Sequence, residues 1–129
     1  MITSGDDDKA PRRCTVKMAP GIGLIDGVVI DQHFAERGRI GRLLAAVSQN
    51  PKVLGIGIDE DTAIVVRPNH SFEVLGSNAV TVLDGINCNY TNVSESHPDD
   101  ILAFTDVVLH ILPAGYEYDL LCRLPMLRR

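Results

Sequence analysis

The sequence predicts an α/β fold of parallel strands with an antiparallel hairpin appended, and three observations carry that prediction. A β-branched apolar run, Gly27-Val28-Val29-Ile30, is bounded by turn residues and has the length of a buried strand. Behind it, Ile40, Leu43, Leu44 and Val47 recur at steps of three and four, which lays one apolar stripe along a helix. Val53-Leu54-Gly55-Ile56-Gly57-Ile58 then reads as a second buried strand. Strand, helix, strand in this order is the pattern of a parallel unit.

Each further element has its own signals. Asn50-Pro51 ends the helix, because the residue before proline avoids helical geometry. Thr62-Ala63-Ile64-Val65-Val66 is a further strand. Beyond Pro68-Asn69, Phe72-Glu73-Val74-Leu75 and Ala79-Val80-Thr81-Val82-Leu83 are expected to pair as a hairpin. The stretch from Asp84 to Asp100 is a polar, turn-rich loop, and Val107-Val108-Leu109-His110-Ile111-Leu112 is expected as the last strand. Residues 1–17 are polar and expected to be irregular, while Leu120 to Arg129 shows no period. No repeat or low-complexity linker divides the chain, so 1–129 is expected to be a single domain.

Composition narrows the function classes. With 129 residues, 45% hydrophobic and 22% charged, the chain can bury an ordinary globular core. It has no apolar run of about 18 residues, so no membrane span is expected. A net charge of −5 argues against nucleic acid as a partner, since phosphate contacts need a basic face. Met1 to Lys9 is short, polar and acidic, unlike a secretory signal, and a cytoplasmic location is expected. Cys14, Cys88 and Cys122 form no Cys-x-x-Cys pair, which points to free thiols. Asn89-Tyr90-Thr91 and Asn92-Val93-Ser94 match the glycosylation pattern but read as polar loop. No cofactor or metal is expected: His97 with Asp99 and Asp100 fits no ligand scheme. His70 belongs to a loop, and His110, inside an apolar strand, reads as a core histidine.

Chemistry concentrates in Asp31-Gln32-His33-Phe34-Ala35-Glu36-Arg37-Gly38-Arg39-Ile40-Gly41-Arg42, where a strand gives way to a helix. In open α/β sheets ligands bind at the carboxyl ends of strands. Counting back from Ile40 by three and seven positions puts Arg37 and His33 on or close to the buried stripe. Leaving such groups buried and unpaired costs roughly several kcal/mol, so this face is expected to line a polar pocket. A blander alternative is that Asp31 caps the helix and Arg37 pairs with a nearby acid; the three arginines Arg37, Arg39 and Arg42 favour a site. The second apolar strand ends in Asp59-Glu60-Asp61-Thr62. Alone, three acids read as a solvated turn, but beside a histidine one of them can orient an imidazole, as base and orienter of a hydrolytic triad. A nucleophile needs a strand-to-helix elbow such as Gly-x-Ser-x-Gly. Gly76-Ser77-Asn78-Ala79 is the nearest match, and its place between two hairpin strands disqualifies it. The cysteines have no activating context. The nucleophile is therefore expected to lie outside this chain.

Met18-Ala19-Pro20-Gly21-Ile22-Gly23-Leu24, Ile30-Asp31-Gln32-His33-Phe34 with Arg37, Arg39, Arg42 and Leu43, and Gly55-Ile56-Gly57-Ile58-Asp59-Glu60-Asp61-Thr62-Ala63 together resemble the cyanophycinases, serine peptidases related to the aspartyl dipeptidases. The resemblance is close from Met18 to about Asp84 and weaker beyond. It implies a partial three-layer α/β sandwich like the class I glutamine amidotransferases, and hydrolysis of cyanophycin to β-aspartyl-arginine dipeptides. It implies His33 as triad base, Glu60 as its acidic partner, and Asp31, Gln32, Arg37, Arg39, Arg42 and Thr62 as substrate-binding residues. The family's serine elbow, resembling Gly-Thr-Ser-Ala-Gly, falls upstream of the matched part, so a serine-bearing amino-terminal half is the implied partner and a homodimer one possible assembly. The chain alone is then expected to be inactive. Alternatives are a non-catalytic module that binds Asp/Arg-rich peptides, or an inactive truncated relic.

Overall fold

The computed structural model describes residues 2–5, 16–18, 27–32, 34, 39–92 and 100–126. In chain order these form β1 (Ile2–Gly5), β2 (Val16–Met18), β3 (Val28–Gln32), α1 (Ile40–Gln49), β4 (Leu54–Ile58), β5 (Thr62–Val66), β6 (Ser71–Gly76), β7 (Ala79–Asp84), β8 (Val108–Pro113), β9 (Glu117–Asp119) and β10 (Leu124–Met126). A mixed sheet runs in the order β3-β4-β7-β8, with β3 and β4 parallel and the other pairs antiparallel. A second, antiparallel sheet runs β10-β9-β6-β5, and β1 pairs with β2. The helix covers one face of the mixed sheet and the second sheet covers the other, giving a helix–sheet–sheet stack.

Strand alternation sorts the two cores. Leu54 and Ile56 of β4, with Val80, Val82 and Leu112, meet Phe72, Val74 and Tyr118 of the second sheet. On the opposite face of β4 stand Gly55 and Gly57. A methyl at Gly55 would lie 2.6 Å from Val47 Cγ2 and 3.2 Å from Leu43 Cδ1, and one at Gly57 would overlap the Phe34 ring. The two glycines therefore let the helical layer settle directly on the strand, where Leu43, Ala45, Ala46 and Val47 are buried with Leu83 and Ile2.

The β3–α1–β4 unit matches the expectation from periodicity. The expected hairpin of 72–75 with 79–83 does not form. Instead β6 pairs with β5 and β9 in one sheet, while β7 pairs with β4 and β8 in the other. The reason is burial: β7 is covered on both faces, so it takes an inner place in the mixed sheet between two partners. The chain crosses between sheets after Gly76, at φ +116°, where a side chain would collide with the Asp61 carbonyl. Three further expectations change. Residues 1–17 include strand β1 and the first two residues of β2. Two short strands, β9 and β10, follow the one expected to be last. Ile40 is 40% exposed, and the inward residues of α1 begin with Gly41, Arg42 and Leu43. Among the described residues no helix is long and apolar enough to cross a membrane.

Candidate functional site

The parallel register of β3 and β4 brings their carboxyl ends together. Asp31 stands beside Gly57 and Gln32 beside Ile58. The Phe34 N–H then donates to the Ile58 carbonyl at 3.2 Å, so Phe34 continues alongside β4 in a turn. The helix itself begins only at Ile40. The helical count that placed residues 33 and 37 on a buried stripe falls on positions outside the described residues, and the inward polar residue of the first turn of α1 is Arg42. His33 and Arg37 lie outside the described residues.

An open depression of about 350 Å³ occupies this end of the sheet, lined by Gln32 and the residues from Ile58 to Ile64. Its floor is the acidic turn between β4 and β5, which a second turn, between β6 and β7, holds from the side. Thr62 Oγ1 donates to the Glu60 carbonyl at 3.0 Å and accepts the Asn78 N–H at 3.2 Å. Asn78 Nδ2 donates to that same Glu60 carbonyl at 2.8 Å. Ser77 gives its N–H to the Asp61 carbonyl at 2.9 Å and its Oγ–H to Asp61 Oδ2 at 2.5 Å. The Ala79 N–H reaches Asp59 Oδ2 at 3.2 Å. Two of the three carboxylates are thereby drawn to fixed donors, which keeps like charges apart within one turn. Glu60 is exposed at the rim.

Asp31 points the other way, into the layer beneath the helix, and is fully buried. Arg42 Nε donates to its Oδ2 at 2.7 Å and Arg42 Nη2 to its Oδ1, a bidentate pair. Arg39 Nη1 approaches Asp31 Oδ1 at 3.8 Å and donates to the Gln32 carbonyl at 2.6 Å. Of the described site candidates, Gln32, Glu60 and Thr62 line the depression, Asp31 and Arg42 pair beneath the helix, and Arg39 reaches from Asp31 to the carbonyl of the lining residue Gln32.

The remaining candidates scatter. His110 is half-buried on strand β8, with its ring 5.9 Å from that of Tyr118. His70 is exposed in a turn at φ 61°. Cys88 and Cys122 are free thiols, and Cys14 and His97 lie outside the described residues. Among the described residues no group of His, Cys, Asp and Glu could hold a metal ion. The bracing by Ser77 and Asn78 was missed from the sequence. The available signal was their identity, since Ser and Asn in turns bond to nearby backbone groups.

A polar rim at the carboxyl ends of a parallel strand pair marks the class of α/β proteins that take their ligands at strand ends. Comparison with known proteins then narrows the class. No family model matches the chain. It is 44% identical over 126 residues to a cyanophycinase of Geminocystis herdmanii, covering 98% of the chain and 46% of that protein. Cyanophycinases of Synechococcus elongatus and Trichormus variabilis match at 40% and 41% identity, over 93% and 100% of the chain. Over the stretch it spans, the chain is similar to these cyanophycinases; that stretch is about 37% to 46% of the length of these relatives.

Proposed function

We propose that this chain is the part of a cyanophycinase-type serine peptidase that supplies the base and the acid of the triad. His33 is the base and Glu60 its acidic partner. The substrate is cyanophycin or a related β-aspartyl peptide, and the serine comes from a separate, amino-terminal stretch of polypeptide. The observation that supports this best lies on either side of His33: Gln32 is the register partner of Ile58, and Phe34 donates to the Ile58 carbonyl, two residues before Glu60.

In this reading the Glu60 carboxylate orients the imidazole and stabilises it when charged. His33 takes the serine proton during attack and returns it to the leaving amine. Gln32 and Thr62 contact the substrate from the lining of the depression. Arg37 and Arg39 recognise substrate carboxylates through their planar donor forks. Asp31 and Arg42 hold the end of β3 against the helix, so that Gln32 and His33 leave the strand in a fixed direction. The rest of the three-layer sandwich, of the class I glutamine amidotransferase kind, belongs to the same proposal and would be completed by the serine-bearing stretch.

Complementation tests it. The chain is mixed with a separately produced serine-bearing segment of a cyanophycinase, and release of β-aspartyl-arginine is followed. Turnover is expected with the mixture and with neither part alone. H33A should lower kcat by about 10⁴-fold and E60Q by somewhat less. A folded mixture that binds the dipeptide without turnover would instead favour a non-catalytic peptide-binding module.

A further inference from the structure

We infer that the Ser77-Asn78 turn is the positioning element of the acidic turn, and that Asn78 is the residue that sets the direction in which Glu60 leaves the backbone. The inference rests on the reading of Glu60 as the triad's acid. Its physical basis is the way two crossings between the sheets meet. The chain passes from the mixed sheet to the second sheet between β4 and β5, and returns between β6 and β7. The two crossing segments lie side by side and exchange bonds at every position from 59 to 62.

The bonds are specific in where they act. Asn78 Nδ2 and Thr62 Oγ1 both donate to the Glu60 carbonyl, at 2.8 Å and 3.0 Å, and Thr62 Oγ1 accepts the Asn78 N–H at 3.2 Å. Glu60, Thr62 and Asn78 thus close a small ring of three hydrogen bonds. This ring grips Glu60 by its carbonyl, not by its carboxylate, so it fixes the peptide plane while the side chain projects from the rim. Ser77 takes both the carbonyl and the carboxylate of Asp61, which holds the left-handed conformation at φ 55°. A carboxylate that must align an imidazole gains from such restraint, because small displacements of an orienting group weaken the hydrogen bond it makes. The Ser77 hydroxyl is committed to Asp61, in keeping with a holding role for the whole turn.

The test compares the full chain with N78A and N78D. N78D keeps the size of the side chain but removes the amide donor, and it carries the comparison if N78A does not fold. In both variants the Glu60 carbonyl carbon and the amide resonances of 59–62 should shift, while those of Ile56 and Phe72 in the core stay in place. In the complemented enzyme kcat should fall about three- to ten-fold at unchanged KM, the span expected for one lost hydrogen bond. Unmoved Glu60 resonances, or changes spread evenly through the core, would overturn the inference while leaving the triad reading intact. A wild-type mixture without turnover would overturn the triad reading, and with it the catalytic meaning of the positioning, even where the resonances shift as described.

Discussion

Arg42 in the first turn of α1 closes a bidentate ion pair on Asp31 in β3, and the carboxylate it grips is fully buried. The pair ties helix to sheet where strand β3 is about to end. Removing one partner leaves a buried charge uncompensated, so D31A should cost about 3–5 kcal/mol. The double variant D31L/R42M removes both charges and should recover most of that loss. Urea unfolding of the three proteins checks this, and a D31A cost within about 1 kcal/mol of wild type would contradict it.

Gly55 is a site where added volume is harmful. The methyl of G55A would lie 2.6 Å from Val47 Cγ2, so the helix must lift or Val47 must leave its rotamer. Overpacking of this kind costs about 1–3 kcal/mol, and pairing G55A with V47A should return part of it. The Tm values of the single and double variants are the readout.

Tyr118 predicts a dependence on high pH. Its hydroxyl is buried without a hydrogen-bond partner among the described residues, between Phe72 at a ring distance of 5.5 Å and His110. Burial, aided by the Asp84 and Asp119 charges and opposed by Arg123, pushes its pKa from 10.0 up to about 12. In the unfolded chain the phenol ionises near 10, while the fold retains the proton. Stability is therefore fully present below pH 10 and falls between pH 10 and 12, by at most about 2–3 kcal/mol. Y118F should abolish that decline. It should also be neutral or stabilising at pH 7, because it removes an unsatisfied hydroxyl. Guanidinium unfolding at a series of pH values distinguishes the two proteins; an equal decline in Y118F would remove Tyr118 as its cause.

Arg123, just before β10, donates to Asp84 Oδ1 at 2.9 Å and to the Lys52 carbonyl, and so latches the β9–β10 hairpin to the mixed sheet. R123A should cost about 1–3 kcal/mol, the range for charge-assisted bonds with partial exposure. Amide exchange should quicken first in β9 and β10. Uniform acceleration across α1 and β4 would argue against a local latch.

The β3–α1–β4 unit was legible because its periods are strong and its ends are marked: a β-branched run, a three-four stripe, and Asn50-Pro51. The partner of β6 was not legible. Phe72 to Leu75 alternates equally well beside Thr62–Val66 or Ala79–Leu83, and the choice is made by the burial of β7 on both faces, a property of the assembled layers. Strands β9 and β10, of three residues each, are too short to show a period. At the site, the acids and arginines could be named from strand ends and from family resemblance. Their wiring could not. Asn78 reaches Glu60 across 18 positions and Arg42 reaches Asp31 across 11, and local pattern does not encode such distances.

The paired crossings have a mechanical consequence. Because the outgoing and the returning segments are bonded to each other where they leave the layers, any sliding of the second sheet across the first has to carry both along. The rim that bears Glu60 is thus pinned to both plates at once, by the strand that leaves the first and by the strand that comes back to it.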